Sequence, residues 1–530
     1  MLHQLNRYLS SPAVRFSFVQ QATLRLSGVR HASSTKKPLA GLYDTVEKAR
    51  LECGIPGMSL AVLHKGELIF AEGFGKRNEQ GNRYTVETLQ PIASVTKAFT
   101  ATAIGEMVAE GKLDWDTTPV NKYLPEFELQ DPILTKQLTV IDLLSHRTDL
   151  GRKADMAFYK STTPRIELIK RLKLVNVQSK LRSDMNYSNA LYTVAGEAAA
   201  RVAGMSYEDI VREKVLNPLG LKNTGFSVME MKGRTTNYSM PFSAASFEDA
   251  QRGFLKQEML DQVPMAYPAA GDVYSSVLDL VQWGRAVLRK GELDGKQVLN
   301  KSSVQETLTA RTIMAEPREG TESPLVQAYG LGWILDSYKG RNICWHNGAW
   351  GGFSSCLVMF PDEDLVVAHL CNLMHSDLGT NIYRHIADDL LDLPKSKDWL
   401  LDVAPKEVKS VYEATTREMN GGGRVTERIP DRPSAHILQA FIGEYSHPLY
   451  GDACITLEKS KDGKETLLMG ALGFQSTMEH HHFESFLVRL VDANVRMKTV
   501  ARFQTATDGS IDSFVVDIGA PVEFKRKEIR

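Results

Sequence analysis

The chain has 530 residues, 43% of them hydrophobic and 24% charged, which is the usage of a folded globular protein and not of a disordered one. At roughly 100 to 200 residues per domain the length suggests about three domains. With 63 basic and 64 acidic side chains the formal charge is −1, which excludes a long-range pull on nucleic acid or anionic lipid. No run reaches the ~18 apolar residues that span a bilayer. The five cysteines (Cys53, Cys344, Cys356, Cys371 and Cys454) form no CxxC pair and read as buried free thiols.

No Asp or Glu precedes Asp44, while Arg7, Arg15, Arg25, Arg30, Lys36 and Lys37 are scattered among Ser and apolar residues. An acid-free stretch rich in Arg and Ser describes a mitochondrial presequence. Residues 1–38 are therefore expected to be a targeting segment to the mitochondrion. The alternative is a basic tail on a cytoplasmic protein.

Asp44–Cys53 reads as a short helix. Met58–Leu63 and Glu67–Ala71 flank His64-Lys65-Gly66 as the two arms of a hairpin. Residues 94–110 are helix-forming and apolar, with Gly111 as the stop. A helix-rich stretch, 112–315, follows. From about residue 329 strand patterns return, as YGLGWIL, NICWHNG, FSSCLVMFP and LVVAHLCN, and the helix pattern GTNIYRHIADDLLDL closes the region. The predicted fold is α/β: one antiparallel sheet drawn from both ends of 39–395, flanked by helices, with an all-helical subdomain inserted. Residues 396–436, with mixed charge and Asn420-Gly421-Gly422-Gly423-Arg424, read as a linker. Residues 437–530 alternate apolar and polar in short runs, which predicts a small antiparallel β-barrel.

Three motifs carry chemistry. In Ser94-Val95-Thr96-Lys97 the positions i and i+3 share a helix face, so the hydroxyl and the amine can meet. Serine needs a base, and lysine is one only when burial keeps it uncharged. Tyr187-Ser188-Asn189 opens a helical segment, and His346-Asn347-Gly348 lies in a strand-like run. Ser-x-x-Lys alone is a common accident. The run of three is not.

These motifs resemble those of the serine β-lactamase-like and penicillin-binding-protein-like family, which includes class C β-lactamases, DD-peptidases and esterases. LTVIDLLSH, PAAGDVYSSVLDLVQWG and YGLGW resemble family segments in family order, and the C-terminal region resembles the lipocalin-like extension of some members. The resemblance implies Ser94 as nucleophile, with Lys97 and Tyr187 sharing the proton work, and leaves open which is the acylation base. It implies Asn189, His346, Gly348 and Ala349 as substrate-binding residues, the backbone N–H groups of Ser94 and Ala349 forming the oxyanion hole. Two departures stand out. Arg147, Thr148 and Asp149 replace the usual Thr-Ser-Gly after His146, and bulky Trp350 either covers the cleft or packs as core.

The expected activity is hydrolysis of an amide, peptide or ester through an acyl-serine, with no cofactor and no metal. His480-His481-His482 alternate faces along a strand and cannot converge on one ion. The expected partner is a small-molecule or peptide substrate, and not nucleic acid; the balanced surface permits a homo-oligomer. The competing readings are a catalytically silent scaffold, and a C-terminal barrel that binds an apolar ligand or covers the cleft.

Overall fold

The computed structural model describes residues 39–177, 181–260, 266–314, 327–373, 378–419, 425–459, 463, 465–491, 496–518 and 520–528. The expected presequence and the glycine run at 420–424 lie outside them.

The hairpin forms as the sequence predicts. Gly57–His64 and Glu67–Gly75 are joined through Lys65 and Gly66, both at positive φ (52° and 83°), the two-residue turn whose twist matches the strands. This hairpin is one edge of an eight-stranded antiparallel sheet. Beyond it come Leu365–Cys371, Phe353–Phe360, Arg341–Trp350, Ile334–Tyr338, Ala328–Tyr329 and Thr312–Ile313. The register Met58↔Cys371 through His64↔Leu365 joins the N-terminal strand to the last strand of the domain, so the sheet is built from both ends.

Both faces of the sheet are covered. Ala61, Leu63, Leu357, Met359, Val366 and Ala368 belong to one core cluster, shared with the helices Thr96–Ala109 and Val277–Leu288. The alternate residues Met58, Leu60, Val62, Val358, Phe360 and Val367 belong to a second cluster, shared with the helices Leu42–Glu52 and Leu378–Leu390. Side chains alternate along a strand, so two-sided burial demands a continuous apolar run, which FSSCLVMF and LVVAHLC supply.

The stretch read as a linker is in part core. Trp399–Val403 forms a wide helical turn that continues into the helix Ala404–Met419. Leu400, Ala404 and Val408, four residues apart and fully buried, face the second cluster. Trp399 Nε1 donates to Asp388 (2.8 Å), which also accepts from Tyr338 (2.9 Å). The charges on the outer face of this helix mask its single apolar stripe.

Gly443–His447 through Pro521–Arg526 form a closed eight-stranded barrel. Two of its strands, Gly443–His447 and Phe474–His482, do not announce themselves in the sequence pattern. Stacked and edge-on rings fill the interior: Phe441 against Phe503 (4.8 Å), Tyr445 against Phe514 (5.1 Å) and Phe514 against Phe524 (5.1 Å). Four cysteines are buried as expected, but Cys454 is exposed on an outward position of Gly451–Lys459. Among the described residues no helix is long and apolar enough to cross a membrane.

One group in the sheet gives the fold a pH dependence. His369 is buried between the sheet and the helix Leu378–Leu390, and among the described residues neither ring nitrogen has a hydrogen-bond partner. Burial holds its pKa down to about 4, against 6.5 when unfolded. Between those values the unfolded chain binds the proton that the folded chain refuses, so stability falls as the pH drops through this window. The variant His369→Leu is expected to gain stability over the wild type on going from pH 7 to pH 5, read from urea midpoints at the two pH values. An equal difference at both would mean that the imidazole titrates freely in the folded state.

Candidate active site

Ser94 is set by a strained turn. Ala93 has φ +48°, uncommon for a residue with a side chain, and Ala93–Val95 forms a tight turn before the helix Thr96–Ala109. Three contacts hold the turn from outside. Ile92 N donates to Val273 O (2.8 Å), Ser355 Oγ donates to Ile92 O (2.7 Å) and Gln90 Nε2 donates to Ser354 O (3.0 Å). The helix behind it is buried nearly all round, with Phe99 stacked on Trp283 at 4.6 Å, so Ser94 stands on a central core element.

Lys97, one turn along, is fully buried. Its Nζ lies 3.0 Å from Ser94 Oγ, 2.7 Å from Asn189 Oδ1 and 2.9 Å from Ala270 O. Burial lowers its pKa from 10.5 to about 7, against the smaller opposing pull of Asp155. Tyr187 donates its hydroxyl to Ser94 Oγ at 2.9 Å. Burial raises its pKa well above that of an ordinary phenol, so it is protonated at neutral pH. Asn189 is the first residue of the helix Asn189–Ala203, which fixes where its amide starts. Ser94, Lys97, Tyr187 and Asn189 thus meet in one connected set of hydrogen bonds.

The third motif enters along the strand Arg341–Trp350. Gly348 faces the Ser94 turn so closely that an added Cβ would lie 2.2 Å from Ile92 O and 3.0 Å from Ser94 N. Ala349 follows on the exposed face. His346 is buried, and both its nitrogens are engaged within the protein. Asn347 O can only accept, so Nδ1 carries the proton donated to it (2.6 Å), and Nε2 accepts from the Tyr329 hydroxyl (3.0 Å). Burial, aided by nearby Lys97, holds the His346 pKa down to about 3. The ring is therefore neutral. Behind it, His146 contacts Tyr329 (4.8 Å between ring centroids) and Tyr187 (4.2 Å).

Several site groups escaped the sequence reading. Asp155, on the helix Gly151–Phe158, accepts from Asn189 Nδ2, Ser188 Oγ and Ala190 N. Ala270 supplies only a carbonyl, which no side-chain motif can announce, although PAAGD lies in a run resembling the family. Trp350 is half-buried and edge-on to Tyr159 (5.7 Å) and Tyr267 (5.8 Å). Tyr159 stacks on Phe474 of the barrel at 5.4 Å, so Trp350 packs at the seam between the two domains. The three consecutive histidines 480–482 are interrupted by a bulge, with only His481 buried. Among the described residues no His, Cys, Asp and Glu group is arranged to hold a metal.

A sequence profile of the Beta-lactamase family matches residues 43–390, and the chain belongs to that family. The domain of unknown function DUF3471 matches 427–530, which contains the barrel. Over 490 residues the chain is 26% identical to the unguisins hydrolase ungD' of Aspergillus campestris, covering 86% of this chain and 85% of the relative. It is 25% identical over 392 residues to penicillin-binding protein 4 of Amycolatopsis lactamdurans, covering 72% of this chain and 97% of the relative. The fold is shared with the octameric penicillin-binding protein homologue of Pyrococcus abyssi, at a TM-score of 0.55 and 21% identity over 91% of this chain and 99% of that one. The family to which the chain belongs has hydrolases among its members.

The close approach at Gly348 makes a sharp prediction. Gly348→Ala forces the strand away from the Ser94 turn, because the crowding atom, Ile92 O, is backbone held by Ser355. The variant is expected to react with an active-serine probe roughly 100-fold more slowly or worse, the cost of losing one oxyanion donor. Stopped-flow or mass-spectrometric labelling rates check this.

Proposed function

We propose that this chain is a serine hydrolase that cleaves an amide or ester through an acyl-Ser94 intermediate. The donor and acceptor count at Lys97 carries the reading. As an ammonium, Lys97 has three protons for three neighbours: Ser94 Oγ, Asn189 Oδ1 and Ala270 O. As a free amine it has two protons and a lone pair. Asn189 Oδ1 and Ala270 O can only accept, so both protons go to them. The lone pair is left facing Ser94 Oγ, the one neighbour with a proton to give. With a pKa of about 7, the amine is in this form about half of the time at neutral pH and more often above it.

The steps follow. Lys97 takes the Ser94 proton as Oγ bonds to the substrate carbonyl carbon. The oxyanion that forms is held by the Ser94 and Ala349 backbone N–H groups. Tyr187 gives its hydroxyl proton to the departing amine or alcohol and recovers one from Lys97. Water then attacks the acyl-Ser94 carbonyl carbon, losing a proton to the same pair; the bond from that carbon to Oγ breaks, the pair returns a proton to Oγ, and the acid leaves. Lys97 is the acylation base in this scheme, because Tyr187 is held protonated. Similarity to the unguisins hydrolase over most of both chains supports hydrolysis over transfer.

The state of His346 narrows the substrate. A neutral ring with both nitrogens occupied offers no fixed cation, so the third motif does not recruit a carboxylate. Between matched peptides, the amidated or esterified member is expected to show the higher kcat/KM; a preference for the free acid would sink this part of the reading.

The central test is intact-protein mass spectrometry after incubation with a fluorophosphonate. One adduct is expected on the wild type and none on Ser94→Ala. The labelling rate is expected to rise with pH through about 7, because the amine must lose its proton before it can accept one from Ser94. An unlabelled wild type that also leaves p-nitrophenyl esters untouched would favour the silent-scaffold reading.

A further inference from the structure

We infer that Asp155 is a positioning residue for this site, fixing the Asn189 amide so that its oxygen, and not its NH2, faces Lys97. This rests on the serine hydrolase reading and adds a residue that none of the three motifs contains.

A side-chain amide can turn over, exchanging oxygen and nitrogen at almost no cost in shape. At Asn189 the two orientations differ in chemistry. With Oδ1 towards Lys97, the amine donates to it and keeps its lone pair for Ser94. With NH2 towards Lys97, two donors meet, and the only neighbour able to accept beside Ser94 is Ala270 O. Asp155 decides between them. Its Oδ2 lies 3.2 Å from Asn189 Nδ2 and, as a carboxylate, can only accept, so it selects the productive orientation. Its other oxygen accepts from Ala190 N (2.9 Å) and Ser188 Oγ (3.0 Å). The Ser188 side chain does not cap its own helix. Asp155, from a separate helix, does that instead and so ties the tilt of the first turn to the amide it holds.

The same carboxylate pulls on the amine, raising its pKa against the effect of burial. Lys97 is faced by Tyr187 and Tyr192 at the start of the helix Asn189–Ala203, by His146 from the turn after Leu144, by His346 from the sheet and by Asp155. Burial keeps the two tyrosines and the two histidines neutral. Asp155 is the one group in this set whose charge favours the ammonium; burial pushes its own pKa up, against the backbone N–H groups of Asn189 and Ala190, the Ser188 hydroxyl and Lys97, which favour its carboxylate.

The experiment uses the full chain and the fluorophosphonate labelling rate against pH, with folding followed by circular dichroism. In Asp155→Asn, if Oδ1 keeps its two donors, the new NH2 faces the Asn189 NH2 and drives the amide over. The rate is expected to fall roughly 10- to 100-fold, the worth of one hydrogen bond to a charged group. The acidic limb is expected to move to lower pH, since the anion that favoured the ammonium is gone. The exchanged pair Asp155→Asn with Asn189→Asp restores a donor opposite an acceptor. It is expected to react faster than either single variant, with its acidic limb moved to higher pH, because the anion now touches Lys97. A purely structural residue would not be rescued in this way or move the limb in opposite directions. If Asp155→Asn does not fold, the exchanged pair carries the test. The inference is overturned if Asp155→Asn matches the wild type in rate and limb, or if the exchanged pair is no faster than the slower single variant. A wild type that does not label overturns the parent reading and this one with it.

Discussion

The site depends on the burial of one amine. Among the described residues Lys97 has no carboxylate in direct contact. It has three oxygen atoms of differing kinds, drawn from the serine turn, a helix start and a buried turn. Removing the amine from water disfavours its charge, and the three contacts keep it from being an unpaired polar group, whose cost would be several kcal/mol. A direct ion pair would have stabilised the ammonium and moved the free-amine form to higher pH. Placing Asp155 one residue away, behind Asn189, keeps the counter-charge weak and the geometry firm.

That balance needs a scaffold that does not relax. The apolar strands supply it through their two-sided burial, which fixes register: a one-residue slip would exchange the contents of the two clusters. The strand that carries His346 and Gly348 is thereby pinned against a turn whose Ala93 is held at positive φ. Strain of this kind, about 1–3 kcal/mol, persists only where neighbours over-determine the backbone. Ile92 is held on both its N–H and its carbonyl, and Gly348 leaves no room for the strand to shift inward.

What could be read from the sequence was whatever is local or periodic. Ser94 and Lys97 lie within a single helical turn, and Lys65-Gly66 announces its own hairpin. The buried strands read as such because two-sided burial admits only apolar residues. Asp155 could not be read, since its partners lie more than 30 residues away and a lone acid on a helix looks like a solvated one. Ala270 acts through its backbone. The helix Ala404–Met419 hid its stripe of Leu400, Ala404 and Val408 among charges, and so passed for a linker. The state of His346 was only half legible: the residue type shows that it can titrate, but only the surroundings of its two nitrogens show that it does not.

The barrel meets the sheet domain through rings on its surface. Its interior is lined by its own rings, with Phe441 packed on Phe503 and Phe514 on Phe524. Its contribution lies at the turn Leu472-Gly473, where both residues adopt positive φ and an added Cβ on Gly473 would come within 2.7 Å of Lys160 Cβ. Only glycine allows that approach, and the approach brings Phe474 onto Tyr159 and Tyr159 onto Trp350. Trp350 ends the strand that presents Gly348 and Ala349. The far end of the strand that carries Gly348 is therefore clamped by a ring stack whose outermost member belongs to the barrel. A clamp at the end of a strand restrains the peptide planes before it, and the direction of the Ala349 N–H is set by such a plane. This gives the C-terminal domain a physical connection to the chemistry without requiring it to bind anything.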